Sequence, residues 1–430
     1  MIRRLIALVV IVIVVLAGLV VMRNVRDEGP SSADPNGPSA TRSPADVVAR
    51  GEYLTRAGDC LACHTARGGA PYAGGRGVET PFGTVYAPNL TPDRETGIGA
   101  WSSADFWRAL HNGRSRDGRL LYPAFPYPNY TRVVRADSDA IYAYLRTLPP
   151  VAKANMPHEL RFPFNLQASL AVWRALFFDA GEYTPDVARG AEWNRGAYLV
   201  EGLGHCNACH SSRNALGAPA GPLDLAGGLI PVQNWYAPSL TAPEEASVVD
   251  WPTQDVVDLM KKGVSARGSV MGPMSEVVLN GTQYLSEPDL AAMATFLKAL
   301  PVTKPDPPKA DEAQASGESQ ARGAKLYDHH CAQCHGDRGE GVPGAYPALA
   351  GSRAVTMDSS ANLVHIVLEG GFPPATAGNP RPFGMPPFAT TLNNDDVADL
   401  LTHIRGAWGN AARAVTPLEV SRYRAGPARP

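Results

Sequence analysis

Six cysteines stand in three pairs, Cys60 with Cys63, Cys206 with Cys209 and Cys331 with Cys334, and His64, His210 and His335 follow them directly. Two thiols at this spacing can add to the two vinyl groups of one haem, and the adjacent imidazole then reaches the iron as proximal ligand. Three Cys-x-x-Cys-His motifs imply three covalently bound haem c groups held by these nine residues. A zinc site would need the pairs to converge on one ion, and they lie in separate stretches of chain. No cysteine remains for a disulfide framework or a catalytic nucleophile.

An electron-transfer haem usually holds a second axial ligand, often a methionine thioether. Met385, in Phe383-Gly384-Met385-Pro386-Pro387, and Met274, in Gly272-Pro273-Met274-Ser275-Glu276, stand in loops suited to that role. Met271 is a rival to Met274, and the plain alternative for Met274 and Met385 is filling a gap in the core. The matching loop of the first repeat reads Tyr122-Pro123-Ala124-Phe125-Pro126-Tyr127-Pro128, and phenylalanine cannot ligate iron. The first haem therefore takes its distal ligand from an unexpected place, with Met156, His111 and His158 as candidates and Tyr122 or Tyr127 as phenolate possibilities, or has none.

His205, His329 and His330 flank the cysteine pairs but are expected to be solvated or hydrogen-bonded, because the proximal position is already taken. Gly339-Glu340-Gly341-Val342-Pro343-Gly344 has the form of a dinucleotide fingerprint, yet it follows a haem motif and not a strand. The sequence contains no Walker loop, no His-Glu-x-x-His and no nucleophile elbow. A substrate-binding catalytic site is expected on another chain.

The elements that position the motifs recur. Arg50-Gly51-Glu52-Tyr53-Leu54, Arg195-Gly196-Ala197-Tyr198-Leu199 and Arg322-Gly323-Ala324-Lys325-Leu326 each precede a cysteine pair. Ser43-Pro44-Ala45-Asp46 reads as a helix start, and Thr184-Pro185-Asp186 repeats it. Tyr86-Ala87-Pro88-Asn89-Leu90-Thr91 returns 150 residues on as Tyr236-Ala237-Pro238-Ser239-Leu240-Thr241. Helical runs from Asp139 to Leu148 and from Asp289 to Leu300 close the first two copies before a proline.

This punctuation predicts an all-α chain of three tandem cytochrome c domains at 43–150, 184–303 and 321–412, with a polar linker at 304–320 and a tail at 413–430. The segment 151–183 is too apolar for a simple linker: it reads as a helix packed on the first domain, or as a surface for a partner or the bilayer. Residues 1–28 read as a membrane anchor, because Leu5 to Met22 carry no charge and approach the length that crosses a bilayer. A cleaved signal peptide is the alternative. Residues 29–42 have the composition of a flexible tether.

With 430 residues and a formal net charge of -2, the chain has room for several domains and no basic field for nucleic acid. Haem is attached to this motif outside the bacterial cytoplasmic membrane, so the domains should face the periplasm.

Beyond the haem motif, Tyr86 to Asp93, Leu121-Tyr122-Pro123-Ala124, Gly204 to His210, Thr282-Gln283-Tyr284-Leu285, Gly344 to Leu349 and Trp408-Gly409-Asn410 resemble the three-haem cytochrome c subunits of bacterial membrane-bound dehydrogenases. The resemblance runs from about Asp46 to Asn410. It implies a relay from a dehydrogenase subunit carrying a quinone, flavin or molybdenum cofactor to ubiquinone or a terminal oxidase. Met274 and Met385 match the family's axial positions. Phe125, where alcohol and gluconate members look to carry Met, leans the partner toward the molybdenum type. The other readings are a cytochrome feeding a terminal oxidase without a dehydrogenase, and a haem enzyme using an open first haem.

Overall fold

The computed structural model describes residues 1–26, 43–221, 224–303 and 315–424; the tether at 29–42, positions 304–314 of the linker and the last six residues lie outside them. Helix α1 (Ile2–Arg26) is long and apolar enough to cross a membrane, with a mean hydropathy of 3.5 and none of its apolar window buried. The chain divides into two compact units. The first comprises Met1–Asp186, Tyr198–Ala208 and Arg213–Ala218, and the second Val187–Ala197, Cys209–Ser212 and Pro219–Pro430.

In the first unit, Ser43 caps α2 (Pro44–Ala57) by accepting the Asp46 N–H, as its sequence foretells. A capping box between Ser102 and Asp105 starts α3 (Ser103–Asn112), and α4 (Arg135–Leu145) returns across α2. The two helices cross at Gly51, where an added Cβ would collide with the carbonyl of Ala140. Arg50, one residue earlier, holds the Asp137 carboxylate at 2.7 Å beside the crossing.

The same lock recurs twice in the second unit. There α6 (Ala191–Ala197) precedes α7 (Thr253–Lys262), α8 (Pro273–Asn280) and α9 (Glu287–Lys298). Gly196 meets the carbonyl of Ala292, and Arg195 pairs with Asp289 at 2.7 Å. Further on, α10 (Gly317–His330) crosses α12 (Asn394–Gly406) at Gly323, with Arg322 on Asp399 at 2.5 Å. Glycine is required because any side chain would push the helix backbones apart. Around this last crossing Val364, Val397, Leu400, Leu401 and Val420 form a buried core, contributed also by α11 (Ala361–Glu369) and α13 (Pro417–Arg424).

Several expectations change. The chain is mostly helical but not purely so. Gly83, at φ 122°, turns β1 (Gly77–Thr80) into β2 (Gly83–Tyr86), and β3 (Glu159–Leu160) adds to the β2 edge. Two smaller antiparallel pairs follow, β4 (Gly228–Leu229) with β5 (Tyr236–Ala237), and β6 (Val264–Ser265) with β7 (Gly268–Ser269). Thr184-Pro185-Asp186 does not start a helix, because the Tyr183 N–H is held by the Arg132 carbonyl at 2.9 Å and the helix begins only at Ala191. The 304–320 linker ends early: Ser316 accepts the Ser319 N–H and so starts α10. The tail is structured as far as Arg424, since α13 buries Val420.

The 151–183 segment supplies α5 (Gln167–Phe177), which packs its inward face on the end of α1 and on the Tyr127 cluster through Trp173 and Phe178. Thus the packed-helix reading describes one face of α5.

Candidate haem sites

Each cysteine pair sits in a short helical turn at the end of its helix. Cys60–Cys63 follow α2 after Asp59, whose φ of 49° reverses the chain; Cys206–Ala208 form a 3₁₀ turn; Ala332–His335 continue from α10. In the second motif the chain passes from the first unit to the second between Ala208 and Cys209. None of the six cysteines is joined in a disulfide. Burial pushes the Cys60 thiol up to about 12 and the Cys331 thiol up to about 11. A redox dithiol depends on a lowered thiol pKa, so this environment is the opposite of the one it needs.

The three histidines share one contact. His64 Nδ1 lies 2.8 Å from the Pro88 carbonyl, His210 Nδ1 2.7 Å from the Pro238 carbonyl, and His335 Nδ1 3.0 Å from the Pro347 carbonyl. A carbonyl only accepts, so the ring hydrogen must sit on Nδ1 and the Nε2 lone pair is left to coordinate. Burial lowers the basicity of all three rings and keeps them neutral, with the proline carbonyls acting weakly the other way. Two cysteine thiols and an imidazole oriented through Nε2 are the donor set that a covalently attached haem requires. The residues fit that group.

A cytochrome c family profile matches residues 48–149 and 320–408. The chain is 37% identical to the cytochrome c subunit of the quinone alcohol dehydrogenase of Gluconacetobacter polyoxogenes, over 88% of this chain and 84% of that protein. The chain belongs to the family of dehydrogenase cytochrome c subunits. It is 38% identical to the gluconate 2-dehydrogenase cytochrome c subunit of Pantoea cypripedii, over 88% of this chain and 89% of that one. A nicotinate dehydrogenase subunit of Pseudomonas putida is 42% identical over 84% of this chain, which spans 30% of that longer protein. Members of this family transfer electrons and leave substrate oxidation to another subunit, so the cytochrome subunit is not the catalytic chain.

Of the two candidate second ligands, Met385 is half-buried, and its backbone exchanges two hydrogen bonds with Gly371 at 2.8 and 2.9 Å. Met274 lies in the first turn of α8, two residues after Gly272, whose φ of 57° and contact with the Trp235 ring admit no side chain. Met271 turns elsewhere: its methyl group is 3.4 Å from where a Cβ on Gly371 would lie.

In the first repeat, Phe125 packs on Tyr130 and Tyr127, with ring centroids 5.3 and 6.4 Å apart. The Tyr130 hydroxyl donates to the Gly58 carbonyl at 2.9 Å, which brings this loop to the edge of the Cys60 turn. Burial, and then the nearby Cys60, Cys63 and Asp59, raise the Tyr130 phenol well above its ordinary value. Of the sequence candidates, His111 stacks on Trp107 at 4.3 Å, His158 accepts the Tyr86 N–H at 3.1 Å, and Met156 is exposed.

His205 is held by the Leu203 carbonyl at 2.8 Å, and the His329 and His330 rings meet edge to face. Gly339 and Gly341 belong to the turn after the third motif, where the Gly341 N–H bonds the His335 carbonyl at 2.8 Å. Sequence reasoning missed the three proline carbonyls and Tyr130. The repeated Tyr-Ala-Pro string signalled the first two prolines without revealing what they do.

Proposed function

We propose that the cytochrome subunit is a membrane-anchored relay of three cytochrome c domains, each carrying one covalently attached haem c. The observation that carries this reading is the threefold recurrence of one device: an Arg–Asp pair beside a glycine crossing, then a cysteine pair, then a histidine held through Nδ1 by a proline carbonyl. Cys60, Cys63 and His64, Cys206, Cys209 and His210, and Cys331, Cys334 and His335 would hold the groups. Bound haem supplies reversible one-electron chemistry. The chain's own part is to fix each imidazole, exclude water around it, and present Met274 and Met385 as second ligands. The Met271 methyl group lies beside Gly371, 3.4 Å from where a Cβ there would be, which favours Met274 over its neighbour.

The relay accepts electrons from a dehydrogenase subunit and delivers them to ubiquinone or a terminal oxidase, with the domains facing the periplasm. Phe125, together with the nicotinate dehydrogenase relative, leans the partner toward a molybdenum enzyme acting on an aldehyde or N-heterocycle. Haem-to-protein stoichiometry of the purified chain tests the count: three haems per chain are expected, and two would remove one site. Co-purification from solubilised membranes tests the partner. Molybdopterin in the large subunit supports the lean, quinone or flavin redirects it to the alcohol and polyol enzymes, and a terminal oxidase alone overturns the dehydrogenase assignment.

A further inference from the structure

A surface helix normally presents charge to water, and α5 does not. Its eleven residues, QASLAVWRALF, include one ionisable side chain, Arg174, which is 1% exposed. Its exposed large apolar residues are Leu166 at the N-cap, Val172, Leu176 and Phe177, beside exposed Gln167 and Ala168, with Phe162 at 77% exposure just before the helix.

The end of α1 is tied to this same helix. Asn24, only 7% exposed, donates to the Ala171 carbonyl at 2.9 Å and accepts from Arg174 Nε at 3.1 Å, while its own carbonyl accepts from Arg114 at 2.9 Å. Arg174 also donates to the Asn112 carbonyl, which joins the clamp to α3. Arg23 pairs with Asp179 at 2.9 Å just beyond α5.

Length sets the depth of that clamp. The uncharged run Leu5 to Met22 spans roughly 27 Å at about 1.5 Å per residue, close to the ~30 Å hydrocarbon core. Asn24 then falls in the headgroup layer, where a polar clamp is tolerated. Because α5 touches α1 at this turn, its uncharged outer face stands at the same level.

We propose that the outer face of α5, with Phe162, is embedded in the headgroup boundary of the bilayer that α1 crosses, and so seats the first domain on the membrane. Interfacial helices bury an apolar face to such a depth beside an anchor. Arg161, at one end of the patch, has a stem long enough to reach a lipid phosphate. The proposal rests on α1 being an uncleaved anchor, and the clamp supports that, since removal of Asn24 would leave Arg174 buried without this partner.

The test uses the full holoprotein in phosphatidylethanolamine and phosphatidylglycerol vesicles containing a diazirine-bearing acyl lipid, with the photolabel mapped by peptide mass spectrometry. Label is expected on α1 and on the 162–178 peptide. In the double variant Val172→Glu and Leu176→Glu, both at exposed positions, the α5 label should fall about fivefold or more while the α1 label stays. Label on α1 with none on 162–178 overturns the proposal, as does an α5 face that lipid never labels but an added dehydrogenase subunit shields. A mature chain lacking α1 defeats the anchor reading itself, and the intact mass distinguishes that case.

Discussion

Gly51 lies against Ala140 with no room for even a methyl group: a Cβ at position 51 would collide with the Ala140 carbonyl. The equivalent contacts of Gly196 with Ala292 and Gly323 with Asp399 make the approach a property of the repeated module. It brings the helix before each haem motif onto the helix that closes the module, and Arg50, Arg195 and Arg322 fix the rotation of that crossing on an aspartate.

Replacing Gly323 by alanine should destabilise the third module by about 1–3 kcal/mol or more, because the obstructing atom belongs to backbone that cannot rotate away. Gly317→Ala, in open space at the start of the same helix, should cost nothing measurable. Urea unfolding of the holoprotein, followed by circular dichroism, compares the two. Equal midpoints would remove the crossing as a determinant of stability.

Met385→Ala and Met274→Ala should each abolish one Met-to-iron absorption band and lower one potential by on the order of 100 mV, a fraction of the roughly 0.8 V that axial ligands command. Met271→Ala should leave all bands in place. A spectroelectrochemical titration reads both effects, and a lost band in the Met271 variant would exchange the assignments.

With Met274 and Met385 as the proposed second ligands, Phe125 would confine any open distal position to the first site. The fully reduced protein should therefore bind carbon monoxide at no more than one haem per chain, and Phe125→Met should suppress even that. Two or more equivalents of bound carbon monoxide would show that Met274 or Met385 is not a ligand.

Burial by itself would raise the Glu419 carboxyl, but Arg413 at 2.8 Å and the Thr416 N–H and hydroxyl at 2.9 and 3.1 Å bring it below its ordinary value. A carboxylate depressed in the folded state binds fewer protons there than in the unfolded chain. Its contribution is therefore complete above the usual glutamate value near 4.3 and is lost as pH falls through the lower folded value. Glu419→Gln should lower stability at neutral pH by about 1–2 kcal/mol and flatten the acid limb of the third module. Melting temperatures taken from pH 7 down to 3 check the sign.

Trp235 lies flat on His365 at 4.9 Å and 18°, and His365 Nε2 is buried with no hydrogen-bond partner in the structure. An unpaired buried nitrogen costs about 1–3 kcal/mol. His365→Phe gives up only the bond from Nδ1 to the exposed Glu369 carboxylate at 2.9 Å and should be near neutral, whereas Trp235→Ala, at a half-buried ring, should cost about 1–3 kcal/mol. Thermal unfolding of both variants decides, and a strongly destabilised His365→Phe would reveal an unseen partner for Nε2.

The Cys-x-x-Cys-His motifs, the apolar N-terminal helix and the helix starts were legible because each is local. Cys-x-x-Cys-His is fixed by the reach of two thiols and a ring, an uncharged run by the thickness of a bilayer, and Ser43 with Pro44 by the orphan N–H groups of a helix start. The proline carbonyls were not legible in the same way. Pro88 lies 24 residues from His64 and Pro347 only 12 from His335, so no constant spacing marks them. Thr184-Pro185-Asp186 has the residues of a helix start, yet the preceding Tyr183 N–H is bonded to the Arg132 carbonyl of a distant loop and no helix starts there. Local preference yields where a tertiary contact satisfies the same groups.

By itself the sequence determined the chemistry: which thiols and imidazoles can hold haem, and that one distal loop offers a phenylalanine where the others offer methionine. Only the tertiary structure decided how each imidazole is oriented, and that the apolar segment after the first repeat shows one face to α1 and the other outward. The physical reason is range. Covalent attachment and helix capping act over a few residues of chain, whereas a ring's tautomer and a helix's exposed face are set by atoms that come near only when the chain has folded.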